Sequence, residues 1–561
     1  MNAVADREQL IASIKTQPEW DLLVIGGGIT GAGVMLRAAQ QGQRVLLLEQ
    51  QDFAWGTSSR SSKMVHGGLR YLVNGDFALT RESVRERELL MTELEGLVEP
   101  MSYVYAHYRG RWVERFGLRM LLKLYDRFAK RVTHKALSIA DTLMLLPGLR
   151  ASGLVAATQF EDAVTDDARL VLRTIDEAEQ QGGIAINYLK AMELIEKEGR
   201  IVGLKAEDQV SKMCITLNAK CVVNASGAWV SRLWGRSGGI ENDRQQQVRP
   251  LRGSHLVLPG HRLPIGSVLT MPHPRDGRSV FIFPWDQTTV VGTTDLDHEQ
   301  PMDREASITA DEFDYLLTCV QDRFPDLNLQ PEEVLSTWAG VRPVISEGEG
   351  LSPSDEKREH ACWAQPGLVS VSGGKLTTFR VIADQVLELV RQQTKPSAGN
   401  SSAPSLFGIN QLPVHPAGIG GGAWKRLHGR YGKRLDQWWS HHSDQRTLGN
   451  TPTLLSELYW AAAFQKVVHL DDLLLRRTRV GLQLPEGAAL WLPQVRQLCQ
   501  PLLGWSNKRW EQEEQRYRAI IDTFYSLPAG VKVSQVSACL SENNDSVDHT
   551  ALPSDASREL S

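Results

Sequence analysis

At 561 residues and 62.5 kDa the chain is long for one domain and is expected to hold two or three. Hydrophobic residues make up 42% and charged residues 23%, the balance of a globular protein with a large core. A formal net charge of −4 gives no global case for a nucleic-acid partner. The cysteines, Cys214, Cys221, Cys319, Cys362, Cys499 and Cys539, form no C-x-x-C pair, zinc spacing or haem-attachment motif. No metal site is expected from them, and reduced structural thiols in a cytosolic compartment are the reading. No apolar run is long enough for a transmembrane helix, and the polar stretch from Met1 to Glu19 lacks the apolar core of a signal peptide.

Residues 1–19 read as a helical lead-in. Asp21-Leu-Leu-Val-Ile25 is a short apolar run ending in glycines, the pattern of a buried parallel strand. Gly26-x-Gly28-x-x-Gly31 then opens a helix. Gly26 permits a tight turn, Gly28 lets backbone approach a pyrophosphate, and Gly31 lets the helix pack close to the strand. A pyrophosphate would sit against the unpaired N–H groups of that helix. Glu49 ends the next strand, Arg44 to Leu48, about 20 residues on, where a carboxylate accepts from ribose hydroxyls. The motif predicts dinucleotide binding, against the plainer reading of a glycine-rich turn. A carboxylate at the ribose disfavours NADP, but the fingerprint does not separate FAD from NAD. The hydroxyl-rich stretch from Thr57 to Tyr71 does: serine and threonine hydroxyls and backbone N–H groups suit the pyrophosphate and ribityl chain of a flavin.

Residues 72–97, rich in Arg and Glu, read as a solvated helix. The most basic stretch follows, with Arg109, Arg111, Arg115, Arg119, Lys123, Arg127, Lys130, Arg131 and Lys135. Its spacing allows an amphipathic helix from about Glu114 to Lys130. That helix either lies on an anionic membrane surface or docks on its own domain with a solvated basic face. A helix from Asp166 to Glu179, a strand at Ile184 to Ile186 and a hairpin over Ile201 to Val223 come next. Asn224-Ala225-Ser226-Gly227-Ala228-Trp229 reads as a strand end, a glycine turn and a helix start. Leu256 to Phe283 and Thr288 to Thr294 predict a second, mostly antiparallel sheet. Residues 395–410 read as a linker, 411–530 as a helical block, and 531–561 as a polar, disordered tail.

Gly26-x-Gly28-x-x-Gly31, Ser58-Ser59-x-Ser61-Ser62-Lys63 and His66-Gly67-Gly68-Leu69-Arg70-Tyr71-Leu72 closely resemble the FAD-dependent glycerol-3-phosphate dehydrogenases of respiratory chains. The likeness continues in order through Asp166 to Leu170, Asn224 to Trp229, Gly253-Ser254-His255, Gly292 to Asp295, Gly340 to Pro343 and Gly373 to Thr378. The resemblance implies an α/β fold: a Rossmann-like FAD domain with an inserted, mostly antiparallel substrate domain, as in D-amino-acid oxidase, and a C-terminal helical domain. Within residues 1–394 the Rossmann-like parts would be about 20–71, 166–229 and 346–394, and the substrate parts about 72–165 and 230–345.

The resemblance also implies the site. Cofactor contacts would come from Gly26, Gly28, Gly31, Glu49, Thr57, Ser58, Ser62, Lys63, Gly67, Leu69, Ala225, Gly227, Gly374, Lys375, Leu376 and Thr377. Arg70, Tyr71, His255, Arg342 and Lys375 would hold substrate, with Arg70, His255, Arg342 and Lys375 catalytic. Arginine suits a substrate phosphate because its fork matches phosphate oxygens. Lys375 can hold a water or the substrate oxygen, and the helix after it can stabilise negative charge on a reduced flavin. His255 and His66 are the candidate bases, since imidazole titrates near neutrality, and transfer without a dedicated histidine stays open. Thr377 and Thr378 can equally be cap residues. Asp295 either positions a cation or is a turn carboxylate. Arg60 either adds a phosphate contact or faces solvent.

The implied activity is oxidation of sn-glycerol 3-phosphate to dihydroxyacetone phosphate, with hydride to flavin N5 and electrons to ubiquinone or menaquinone. No haem or iron–sulfur motif is present in the sequence, so the acceptor would meet the flavin directly. That implies a cytoplasmic enzyme held peripherally on the inner membrane face; the oligomeric state is left open, with a homodimer as the option considered. An oxygen-using glycerol-phosphate oxidase, an amine or amino-acid oxidase of the same fold, and a non-catalytic flavin-binding protein are the alternatives.

Overall fold

The computed structural model describes residues 3–73, 75–110, 112–234, 248–346, 359–394, 405–408 and 414–531, leaving aside the side chains of 3–6, 70, 73, 112–114, 234 and 441. The tail expected over 531–561 lies outside these residues apart from Val531, as does most of the linker.

The first sheet grows from the strand Trp20–Ile25. Its neighbours are Val45–Leu48 on one side and Cys214–Asn224 on the other, both parallel to it. Leu368–Gly373 and Ile184–Ile186 extend the parallel order at either side, and His360–Gln365 closes one edge antiparallel. Side chains on the central strand alternate between two buried faces. Leu22 and Val24 pack under the helices Ile29–Gln40, Asp167–Gln180 and Phe379–Gln393. Leu23 and Ile25 pack against the meander Leu189–Lys197, Arg200–Asp208 and the first half of Cys214–Asn224. Burial on both faces is why the strand reads as a continuous apolar run. Gly31 fits here only as glycine, because an added Cβ would stand 1.9 Å from the Gly26 carbonyl oxygen.

Among the described residues the second sheet has ten strands and is antiparallel except where Val268–Pro272 meets Val98–Tyr108. Toward one end of it, Val248–Pro259 pairs from Val248 to Val257 with Ser336–Ile345. The strands Val98–Tyr108 and Leu154–Thr165 join strands from beyond residue 247 in this one sheet.

Three expectations change. The helix Phe77–Glu93 is not simply solvated: Arg87 and Glu86 are buried, Arg87 on Asp162 and Glu86 in a fork from Arg380 at 2.8 Å on both arms. Charges can be buried there because each meets an opposite charge on another element. The linker is fixed at Leu406 and Phe407, whose side chains are buried and whose amides donate to the Glu93 carboxylate. The helical block, whose sequence after the linker reads as a separate unit, is docked on the first sheet's side of the molecule through ion pairs. Its π turn Asp472–Arg477 sends Arg476 and Arg477 onto Asp52, with contacts of 2.6–2.8 Å, directly after the first sheet's second strand. No helix among the described residues is long and apolar enough to cross a membrane.

Candidate functional site

A cavity of about 1160 Å³ runs between the two sheets. Ile25, Leu48 and Gly373, at the carboxyl ends of parallel strands, line it together with Ala225, which follows a fourth such strand. This is where open α/β sheets bind ligands. Gly26, Gly28 and Ile29 line the same end, at the N-terminus of Ile29–Gln40. A Cβ on Gly28 would touch only the Ser58 hydroxyl, at 3.2 Å, so the backbone there is open to a close-lying ligand. Glu49 also lines the cavity. Burial raises its pKa, while the Gln51 and Gly27 amides, donating at 2.8 and 2.7 Å, favour its charge and hold it in place. Those bonds leave lone pairs for a ribose. The volume of this cavity, its glycine cradle and its carboxylate fit a dinucleotide and a small second ligand.

Thr57, Ser58, Ser62 and Leu69 line the cavity from the loop after the second strand. The Ser58 hydroxyl accepts from the Ile29 amide at 3.0 Å and so ties this loop to the glycine turn. Lys63 departs from its expected place at the cofactor. Its ammonium is buried on Asp167 at 2.7 Å, and over the rings of Trp285 and Trp338 at 4.5 and 5.0 Å. Burial lowers its pKa, and the Arg479 charge lowers it further. Arg60 meets neither alternative: it is buried, donating to the Trp55 carbonyl and the Tyr525 hydroxyl and paired with Glu305 at 2.7 Å. Gly67 supports the wall instead of lining it. Its amide donates to Asp162 at 3.0 Å, and a Cβ would collide with the Tyr125 hydroxyl.

The other end of the cavity is cationic. Arg342, on the strand Ser336–Ile345, donates to Asp295 at 2.9 Å and to the Thr293 hydroxyl at 3.0 Å; all three line the cavity. Asp295 therefore holds a cation. Lys375 lines the cavity from the turn before Phe379–Gln393, with its Nζ 3.3 Å from the centre of the Tyr71 ring. Tyr71, His66, Gly227, Gly374 and Leu376 are also in the lining. Arg70 stands between the lining residues Leu69 and Tyr71 in the short helix Leu69–Val73, and its side chain lies outside the described set. Thr377 is buried behind the wall, where its hydroxyl donates to the His66 carbonyl at 3.3 Å; Thr378 is the helix N-cap, without a side-chain cap bond.

His255 is set back from the cavity. It is buried, stacked on Trp338 at 4.8 Å, and its Nε2 lies 2.9 Å from the Ser62 hydroxyl. Burial, then the Arg342 and Lys63 charges, push its pKa well below the ordinary 6.5, so the imidazole is neutral at neutral pH. It reaches the cavity through Ser62, which lines it.

Sequence reasoning missed Arg278, which lines the cationic end and donates to the Asp295 carbonyl at 2.8 Å. Its one local signal is a glycine–arginine pair just before the alternating strand Ser279–Trp285. It also missed an aromatic wall, Tyr103, Tyr105, Phe160 and Phe281, which no local motif marks.

The fold and cavity define a flavin-type nucleotide-binding oxidoreductase, and comparison with known proteins agrees. Residues 21–386 match the model of the FAD dependent oxidoreductase family, and residues 382–510 match that of the C-terminal domain of alpha-glycerophosphate oxidase. The aerobic glycerol-3-phosphate dehydrogenase of Staphylococcus saprophyticus is 36% identical over 398 residues, 70% of each chain. That of Staphylococcus aureus is 31% identical over 505 residues, 84% of this chain and 88% of its own. The solved glycerol-3-phosphate dehydrogenase from Bacillus halodurans complexed with FAD superposes with a TM-score of 0.71 at 27% identity, covering 92% of this chain and 96% of its own. The chain belongs to the FAD dependent oxidoreductase family, among its glycerol-3-phosphate dehydrogenases.

Proposed function

We propose that this protein oxidises sn-glycerol 3-phosphate to dihydroxyacetone phosphate and passes the electrons to a membrane quinone. The observation that carries the reading is one cavity lined both by Arg342, Arg278 and Lys375 and by the turns that fit a flavin nucleotide. FAD, when bound, supplies the hydride acceptor. Gly26, Gly28, Glu49, Ser58, Ala225 and Gly374 would hold it, by their places in the lining. Arg342, aimed by Asp295 and Thr293, grips the substrate phosphate with its planar fork. Lys375, backed by Tyr71, steadies the substrate oxygen. The Ser62 hydroxyl takes the substrate's hydroxyl proton and hands it to the neutral His255 at Nε2, and His66 on the lining is the alternative acceptor.

The helix Trp112–Ala129 supports the membrane part of the reading. Phe116 and Met120 are 66% and 52% exposed among Arg115, Arg119, Lys123 and Arg127, while Leu118 of the same helix lines the cavity. Apolar side chains exposed between cations suit an anionic bilayer surface. The match to an alpha-glycerophosphate oxidase domain favours a second reading, in which oxygen is the acceptor. Turnover of glycerol 3-phosphate with a short-chain quinone analogue separates the two. The quinone reading requires quinone reduction matching substrate loss; peroxide formed at the rate of substrate loss would replace it with the oxidase reading. Failure to oxidise glycerol 3-phosphate with either acceptor would remove both.

A further inference from the structure

A second, smaller cavity of about 300 Å³ opens beside the first and shares Tyr105 and Thr270 with it as a common wall. Arg109, Arg150 and Arg323 line it, with His107, Tyr108 and Ser152, and among the described residues no acidic one is in the lining. Two of the guanidinium groups are set in place around the Tyr108 ring, Arg150 at 5.5 Å and Arg323 at 5.3 Å from its centre. The Tyr108 hydroxyl in turn donates to the Arg150 carbonyl at 3.1 Å. Asp322, outside the lining, divides itself between them, one oxygen 2.8 Å from Arg150 and the other 3.3 Å from Arg323. One carboxylate thus serves two arginines, and Arg109 brings a third cation to the rim, where its residue is exposed. The Arg323 side chain is only 12% exposed, so its charge sits where water screens it poorly.

We propose that this pocket is a second phosphate-binding site, separate from the substrate end of the main cavity. Pre-positioned guanidinium forks in a concave, partly desolvated site match the three-oxygen face of a phosphate. The volume suits a phosphate or a small phosphate ester. The phosphate has two sources of the same chemistry: a free phosphorylated metabolite or the headgroup of an anionic lipid. The second is open to it because Val155, two residues beyond the lining residue Gly153, is an apolar side chain 40% exposed.

The test is equilibrium dialysis of the FAD-loaded protein against labelled inorganic phosphate, for wild type and for R109Q/R150Q, with R109Q alone as a variant at an exposed position. Sedimentation with phosphatidylglycerol and with phosphatidylcholine vesicles forms the other arm. The double variant is expected to lose one phosphate per chain, or to bind it roughly tenfold or more weakly, with melting and glycerol 3-phosphate turnover retained. If that loss appears in dialysis and vesicle binding is unchanged, the ligand is a free phosphate. If the variant loses phosphatidylglycerol but not phosphatidylcholine vesicles, the ligand is a headgroup. Equal phosphate binding and equal vesicle binding by wild type, R109Q and R109Q/R150Q would overturn the site. Turnover is read separately, so that result leaves the glycerol-phosphate reading untouched.

Discussion

Replacing Arg342 separates its assigned role from that of a generic cavity charge. Its guanidinium is 22% exposed and is aimed by Asp295 at 2.9 Å and Thr293 at 3.0 Å. In R342K the charge stays but the fork is lost. One charge-assisted hydrogen bond to phosphate is forfeited, about 1.5–3 kcal/mol, or roughly 10–100-fold in kcat/KM for glycerol 3-phosphate. R342Q removes the charge as well, and with it the ion pair to Asp295, and the loss grows to about 3–4 kcal/mol, several hundredfold on the same scale. Unphosphorylated glycerol is the control, because it offers the fork nothing to hold: its turnover is expected to fall by less than about threefold. A second readout comes from His255. After burial, the Arg342 charge is the largest cause of its depressed pKa. Removing that charge lets the imidazole's pKa rise, so the acid limb of the pH–kcat profile moves to higher pH in R342Q and stays in R342K. Steady-state kinetics of both variants on both substrates across pH would decide it. Equal losses on glycerol and glycerol 3-phosphate would refute the phosphate role, and an unmoved acid limb in R342Q would refute the coupling to His255.

The remaining predictions concern the scaffold and the surface. D52N leaves Arg476 and Arg477 buried without their shared carboxylate, so denaturant unfolding should show a loss of about 3–5 kcal/mol; an unchanged midpoint would mean the helical block docks by its apolar contacts alone. K63M takes from Asp167 its nearest cation and leaves Arg479 at 3.4 Å beside the Ser61 and Ala168 hydrogen bonds, and should cost about 3 kcal/mol of stability in the same assay. Burial alone would raise the Asp166 carboxyl, but Arg430, Arg479 and Lys63 bring it down to about 2, below its ordinary 3.8. Its contribution of about 2 kcal/mol is therefore present above pH 3.8 and lost as pH falls through 2, so D166N should flatten the stability–pH slope in that window. F116S/M120S removes exposed apolar side chains and should abolish sedimentation with anionic vesicles while leaving kcat/KM for a water-soluble acceptor within about twofold.

The nucleotide-binding half was legible because its signals are local. Strand, glycine turn, helix and terminal carboxylate follow one another within residues 20 to 49, and the structure reproduces that order. The two-sheet plan was legible for a similar reason, since alternation within each strand reports a buried face. The misplaced residues have distant partners. Lys63 is taken by Asp167, Arg60 by Glu305 and Tyr525, and Glu86 by Arg380. No local pattern announces such pairings, because the partner arrives from another element only when the chain is folded. His255 shows the same limit in subtler form: its motif placed it near the site, but only packing against Trp338 and the hydroxyl of Ser62 sets it one group back and holds it neutral. Arg278 escaped because it stands in a turn, where an arginine is most often a surface charge.

The central claim is that a flavin lies against the pocket formed by Arg342, Lys375 and Arg278. Mixing the purified yellow protein with glycerol 3-phosphate under strict exclusion of oxygen tests it most directly. The account predicts bleaching of the flavin absorbance with dihydroxyacetone phosphate formed in equal amount, and no bleaching by amino acids. Protein that stays yellow with glycerol 3-phosphate, or that purifies colourless and does not take up FAD, would contradict it.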